Sequence, residues 1–507
     1  MSTRSLIIIG AGLSGLSTGC FAQMNGYHSR ILEHHTQPGG VAAAWRRGEY
    51  LIDGGIHFVM GHKPGAGLHR LYRQLGIVPA VQFVDMTTYG RFVHEESGCS
   101  LVVGQDLDRL AADLKAAFPA DARIADELVA GARSMQGLDM SELGLSKPPE
   151  LSGPLDQIKD LWGMRHLLKY MFGKYGHSVA RYARDVHDPV LRSFLYSLFL
   201  PGVPVWFLFM ILGMLADGQL GLIDGSCLDL VEAMERHFQD LGGEVAYGST
   251  VQEIMVEDDR AVGVRLADGS EQRADAVVSA ADGRSTIFGM LGGRYVDDKI
   301  RRRYDTWKTF QPLLMVNYGL ARAFSAEPAF TTIELERPLS VGGKQVKAIY
   351  IRIFNYGRRF APPGKTVVQA EMEAEWDYWH DLRQQDRAGY EAAKAEVAAQ
   401  VLDRLARHYP GIASDVEVTD VATPYTWWRY TRNHEGAWEG WLMTAEAMRT
   451  AVGRTLPGLR GFYMAGQWVM PGGGVAPCLY SGRHAVQILC RDDGRRFVAL
   501  DEALARR

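Results

Sequence analysis

The stretch LIIIGAGLSGLSTGCFAQMNGYHSRILEHH, which begins at Leu6, limits what this chain can fold into more than any other. A basic residue, Arg4, stands before an apolar run, and small residues come after it, as in an export signal. The apolar run is too short for a signal core, however, and glycines interrupt the residues after Ile9. A strand–turn–helix unit accounts for the stretch better. Ser5–Ile9 is apolar and β-branched, as a strand buried on both faces should be. Gly10, Gly12 and Gly15 then precede a helix-like segment that runs to Asn25, with Gly26 as its C-cap. The first glycine permits a tight turn, the second lets a diphosphate approach the backbone, and the third lets the helix pack close to the sheet. A second strand near 29–33 ends in Glu33, at the offset of a carboxylate that binds ribose hydroxyls. Glu33 would repel a 2′-phosphate, which argues against NADP here. The chain is therefore expected to open with a dinucleotide-binding fold.

Composition narrows the class. The net charge of −4 and the absence of a basic run leave no field for nucleic acid. An apolar content of 47% with 22% charged residues is that of an ordinary globular protein, and 507 residues suffice for two or more compact units. The five cysteines, Cys20, Cys99, Cys227, Cys478 and Cys490, are scattered and odd in number. They read as reduced thiols of a cytoplasmic protein. No metal-ligand spacing is present among the histidines, and none is expected to hold a metal.

The next segment separates FAD from NAD. It carries Pro38, Gly39 and Gly40, then Gly48 and Tyr50, then the turn Asp53–Gly54–Gly55 and His57. Here the chain resembles the phytoene desaturase and carotenoid isomerase branch of the FAD-dependent amine oxidase superfamily. Gly39, Gly40, Gly48, Tyr50, Asp53 and Gly55 stand at the family's motif positions. Val41 departs from the basic residue usual after the glycine pair, and Arg46 or Arg47 is either a substitute contact or an exposed turn residue. The resemblance extends to a middle segment, 224–282, with an apolar helical stripe (Leu228, Leu230, Val231, Met234, Phe238) and two hairpins. It implies that the backbone at Val251 meets the adenine. A last segment, 458–489, supplies a strand, Gly466, the turn Gly472–Gly473–Gly474 and Val475 at the approach to a helix. That helix N-terminus would stabilise a reduced anionic flavin. Gln467 stands where many family members have an acid.

The implied architecture is α/β: a discontinuous Rossmann-type FAD-binding domain from 1–76, 224–296 and 423–507. A mixed sheet-plus-helices substrate domain would come from 77–223 and 297–422, with a linker at 146–154. The uncharged run 194–216 is long enough to cross a bilayer, but Pro201, Gly202 and Pro204 break it. It reads as buried core, as a tunnel wall, or as a face in peripheral contact with a membrane. Large aromatics, among them Trp206, Phe207, Trp427, Trp428, Tyr430, Trp438 and Trp441, point to an apolar pocket. The resemblance implies a long isoprenoid or polyene substrate.

No second nucleotide unit comes after Glu33, so oxygen or a quinone is the expected electron acceptor. His57 and His434 are the candidate acid–base residues, each weighed against a structural role. Arg352 is a candidate for a carboxylate head group or a solvent-exposed strand residue. The expected activity is desaturation by hydride transfer to flavin. The open alternatives are redox-neutral isomerisation or saturation of a polyene, amine oxidation, and a non-enzymatic FAD-bearing scaffold.

Overall fold

The computed structural model describes residues 4–139, 145–163, 165 and 168–499. At its centre is a five-stranded parallel sheet in the order Glu244–Ala246, His28–Leu32, Ser5–Ile9, Ala276–Ser279, Phe462–Met464. Strands from the start, middle and end of the chain therefore lie side by side, all parallel. Strands Ser5–Ile9, Ala276–Ser279 and Phe462–Met464 are almost uniformly buried, which agrees with the unbroken apolar character of Ser5–Ile9. Helices Leu13–Met24, Cys227–Asp240 and Val475–Asp492 pack on this sheet through a core that includes Leu16, Phe21, Leu230, Phe238, Leu479 and Ile488. A three-stranded antiparallel meander, Val251–Glu257, Arg260–Leu266 and Glu271–Arg273, joins the other side.

The second large sheet is mixed and has seven strands. Its order is Val416–Ala422, Leu313–Leu320, Thr366–Glu373, Lys344–Ile353, Phe330–Val341, Thr88–His94, Cys99–Gly104. One face is covered by helices Trp376–Gln385 and Arg387–His408, with Trp379, Tyr390, Val401 and Leu405 packed on Val316, Ile349 and Ile351. Strand alternation sends the intervening residues to the opposite face, toward the parallel sheet. Both sheets and the helices match the expected α/β class.

The uncharged run 194–216 is two helices rather than one. Pro189–Ser197 starts at an Asp188 N-cap, whose Oδ1 accepts from Val190 N–H at 2.7 Å. The chain then turns through the prolines, and Val205–Ala216 begins after Pro204. This second helix is buried along nearly its whole length. A Cβ at Gly213 would lie 2.6 Å from the Ala132 carbonyl oxygen, so helix Ala122–Ser134 approaches it closely. No helix among the described residues is long and apolar enough to cross a membrane. The stretch expected as a linker, 146–154, contains a short turn, Pro149–Leu151, and leads into helix Pro154–Gly163.

Candidate active site

The glycine turn after the first strand has the shape that a diphosphate requires. Gly10 adopts φ +97°, and its N–H donates to Leu32 O at 2.8 Å. A Cβ at Gly15 would collide with the Gly10 carbonyl oxygen, so only glycine allows this helix to start so near the strand. Gly12 caps the helix without a side-chain hydrogen bond, and Gly39 N–H donates to Ala11 O at 2.9 Å. Gly40, at φ +61°, is Gly39's neighbour in that same return of the chain. Glu33 is buried, and its two oxygens accept from Ala11 N–H at 2.6 Å and His35 N–H at 2.8 Å. It thus ties the second strand to the glycine turn and keeps lone pairs for ribose hydroxyls. Val251 starts the meander beside this region, where Ser249 N–H donates to Glu33 O at 2.8 Å.

A second uncapped helix N-terminus lies at Gly474, φ +77°, where a Cβ would meet only open space. Its helix packs tightly on the first: Ser17 Oγ donates to Leu479 O at 2.7 Å, and a Cβ at Gly482 would lie 2.7 Å from Ser14 O. Gly466, φ +101°, is held by its N–H donating to Ser481 Oγ at 2.7 Å. Two uncapped helix N-termini therefore converge on one region, each lacking the side-chain partner that helix ends ordinarily have.

Between the two sheets lies a cavity of about 1470 Å³. Its cofactor end is formed by Leu13, Val41, Ala42, Gly55, Gln467 and the turn Gly472–Gly474 with Val475. Its remainder is walled by Phe58, Tyr89, Phe199, Trp206, Phe207 and Met210. The run 194–216 thus contributes both core and cavity wall. FAD suits this arrangement: there is a glycine cradle, a buried carboxylate beside it that would meet the ribose, and two helix N-termini without side-chain caps that would face the diphosphate and the ring carbonyls.

The second sheet presents two rows of side chains on this side, one of which lines the cavity. In one row, Thr332, Tyr350 and Glu371 stand directly opposite one another across three strands, and all three line the cavity. His57 faces this row. Its Nε2 lies 3.0 and 2.9 Å from the two Glu371 oxygens, and its ring packs edge-on against Trp438 at 5.2 Å and Tyr350 at 5.6 Å. An Nε2–H donor to that carboxylate fixes the tautomer in which Nδ1 carries the lone pair.

The neighbouring row holds the cofactor hairpin. Arg352, Gln369 and Asn317 are opposed across their strands. Gln369 Nε2 donates to Asp53 O at 3.0 Å, and Arg352 Nη1 lies 3.7 Å from Asp53 Oδ1. Asp53 also accepts from Gly55 N–H at 2.9 Å and Cys227 N–H at 2.7 Å. This overturns both expectations for Arg352, which is 2% exposed, donates to Ile56 O and Tyr356 Oη, and does not line the cavity. Burial opposes its charge, but Tyr356, Asp53 and Glu371 more than compensate and raise its pKa.

Of the two candidate histidines, the fold brings only His57 to the cavity. The His434 side chain is 39% exposed, its ring lies 3.3 Å from Glu435 Oε1, and its backbone N–H donates to Asp282 at 3.1 Å. Its tryptophan neighbours in sequence belong to different environments, so their proximity along the chain does not carry it to the pocket. Trp441 is buried in the core beside Trp468, whereas Trp438 lines the cavity. Sequence reasoning missed Glu371 and Glu439, both on the cavity wall. The only local signal is an acid placed among apolar neighbours: alternating strand residues around Glu371, and Trp438, Gly440 and Trp441 around Glu439. Burial pushes the Glu439 carboxyl up to about 8, opposed by the Gly474 N–H. Lys308 and Lys347 line the rim and are exposed.

Comparison with known proteins agrees with this geometry. The model of the flavin containing amine oxidoreductase family matches residues 13–490. Prolycopene isomerase from Arabidopsis thaliana chloroplasts is 24% identical over 97% of this chain and 84% of its own length. The neurosporene-forming phytoene desaturase of Rhodobacter capsulatus is 24% identical over 95% of this chain and 93% of its own. Among solved structures, an oxidoreductase from Methanosarcina mazei superposes with a TM-score of 0.59 at 15% identity, covering 95% of this chain and all of that one. A putrescine oxidase superposes with a TM-score of 0.62 at 13% identity over 96% of this chain and 99% of that one. These structural matches establish the fold. The chain belongs to the flavin-containing amine oxidoreductase family and is an FAD-dependent oxidoreductase.

Proposed function

We propose that this protein acts on a long, apolar, unsaturated hydrocarbon of the polyene class, removing hydrogen from it. The observation that carries this reading is the cavity. It has about 1470 Å³ of space, walled by aromatic and aliphatic side chains, and it runs on from the cofactor cradle. The cofactor end takes part of that space, and the apolar walls of the remainder suit an extended hydrocarbon better than a small charged amine. The relatives named for carotenoid desaturation and isomerisation align along nearly the whole chain, which supports the same substrate class.

FAD supplies the hydride acceptor when bound. The cofactor-binding residues are Gly10, Gly12, Gly15, Glu33, Gly39, Gly40, Gly55, Val251, Gly466, Gly474 and Val475. In this reading the apolar walls orient the substrate and exclude water, so that the reacting carbon is held in line with the cofactor end. His57 takes up the proton released from the neighbouring carbon at Nδ1, and Glu371 holds the ring and balances the charge that results. The division of the chain at 76, 223, 296 and 422 forms part of the proposal: the first, third and fifth pieces bind the cofactor, and the second and fourth shape the substrate space. Oxygen or a membrane quinone is the proposed electron acceptor, and peripheral contact with a membrane is the proposed route for so apolar a substrate.

A second reading, redox-neutral cis–trans isomerisation, is favoured by the prolycopene isomerases among the full-length relatives. Amine oxidation is less well served, since Lys308 and Lys347 at the rim are exposed to solvent and the cavity beyond the cofactor end is walled largely by aromatic and aliphatic side chains. Anaerobic mixing of the FAD-loaded protein with phytoene and, separately, with prolycopene distinguishes them. Desaturation bleaches the flavin in proportion to product, and isomerisation yields product with no net bleaching. Loss of flavin colour with putrescine but with neither polyene would sink the proposal.

A further inference from the structure

Glu439 lies in the cavity wall between Trp438, which packs on His57, and Gly440, where a Cβ would lie 2.6 Å from Gln467 O. A Cβ at Gly473, in the turn that ends the cofactor cradle, would collide with the Glu439 carboxyl oxygen. Among the described residues no lysine, arginine or histidine forms an ion pair with it. The groups that face it are the backbone N–H of Gly474 and, from helix Val475–Asp492, the thiol of Cys478, itself pushed up to about 12 by burial. Beyond Trp438 stand His57 and Glu371, which pair with each other. A carboxyl without a cation in an apolar wall favours its neutral form, because the single Gly474 N–H replaces only part of the hydration that the charged form would lose. The cavity therefore carries two acid–base groups in unlike environments: a hydrogen-bonded His57–Glu371 pair on one side of Trp438, and a lone acid on the other. Environments that separate two such groups are how acid and base roles are divided.

We propose that Glu439 is a proton donor to the double-bond system of the substrate, giving this protein a redox-neutral route to isomerisation that rests on the polyene reading above. The Glu439 O–H bond breaks and a C–H bond forms at one polyene carbon from the π electrons. The resulting cation is spread along the conjugated chain and faces the rings of Trp438 and Tyr350. The former double bond turns. The new centre then loses a proton to the Glu439 carboxylate, and the C–H electrons restore the double bond. No oxidant or reductant is consumed.

The test uses the FAD-loaded protein with prolycopene in detergent micelles prepared in D2O. The expected result is isomerised product carrying deuterium at vinylic carbons, read by mass spectrometry. Glu439→Gln should lower the isomerisation rate by roughly 10²-fold or more while flavin absorbance per chain is unchanged, and Glu439→Asp should restore part of the rate. Difference infrared spectra should show a neutral carboxyl at pH 7 that is absent from Glu439→Gln. Isomerisation without deuterium, a wild-type rate in Glu439→Gln, or no neutral carboxyl at pH 7 overturns the proposal and leaves the polyene reading standing. A wild-type protein that converts neither prolycopene nor phytoene overturns both.

Discussion

Asp53 joins three parts of the molecule: the Gly55 turn, the start of helix Cys227–Asp240, and Arg352 on the second sheet. Removing Arg352 leaves a buried carboxylate without its cation, so Arg352→Leu should cost about 3–5 kcal/mol and be seen as a lower Tm, with flavin released on mild heating. His57 has a different part. His57→Ala should retain FAD and lower turnover roughly 10²-fold, whereas Glu371→Gln, which keeps the shape but weakens the pairing, should lower it less. A wild-type rate in His57→Ala would remove that residue from the chemistry. Glu439 makes stability depend on pH. Its folded-state value of about 8 lies above the ordinary 4.5, so the folded protein keeps a proton that the unfolded chain gives up. The stabilisation is complete below 4.5 and is lost as pH rises to 8. Glu439→Gln should therefore gain in Tm relative to wild type at about pH 9 compared with about pH 5, a gain that calorimetry under the two conditions can measure.

At the scale of elements, legibility in the sequence depends on how local each signal is. The strand–glycine–helix unit at 5–24 is legible because its glycines answer to backbone collisions within a few residues, such as Gly15 against the Gly10 carbonyl. The two glycines make separate predictions. Gly15→Val should fail to fold, since the clash is with backbone. Gly12→Ala should fold, since a Cβ there lies 3.8 Å from the nearest atom, Gly39 O, yet bind FAD at least roughly tenfold more weakly because the methyl occupies diphosphate space. Flavin absorbance per folded chain separates the two outcomes. The break in the run 194–216 is also legible, from Pro201 and Pro204 alone. The wall that carries Thr332, Tyr350 and Glu371 is not, because three strands far apart in sequence must pair in one register before those residues meet. Arg352 is opaque for the same reason. Nothing near it in sequence announces Asp53, and a lone strand arginine has no visible partner until the hairpin docks.

For the whole molecule, the parallel sheet can close only when its first, middle and last strands are all in place, so the cofactor cradle is completed by residues near both ends of the chain. The second sheet then clamps the hairpin of the cradle through the Arg352 row and offers its Tyr350 row to the cavity. In the proposed reading, cofactor site and substrate space are two sides of one interface, and a polyene within it would lie against the flavin end. Anaerobic titration of the FAD-loaded protein with phytoene tests this most directly. The account predicts flavin bleaching matched, mole for mole, by a product lighter by two hydrogens. An unbleached flavin with phytoene returned unchanged, while putrescine bleaches the same sample, would contradict it.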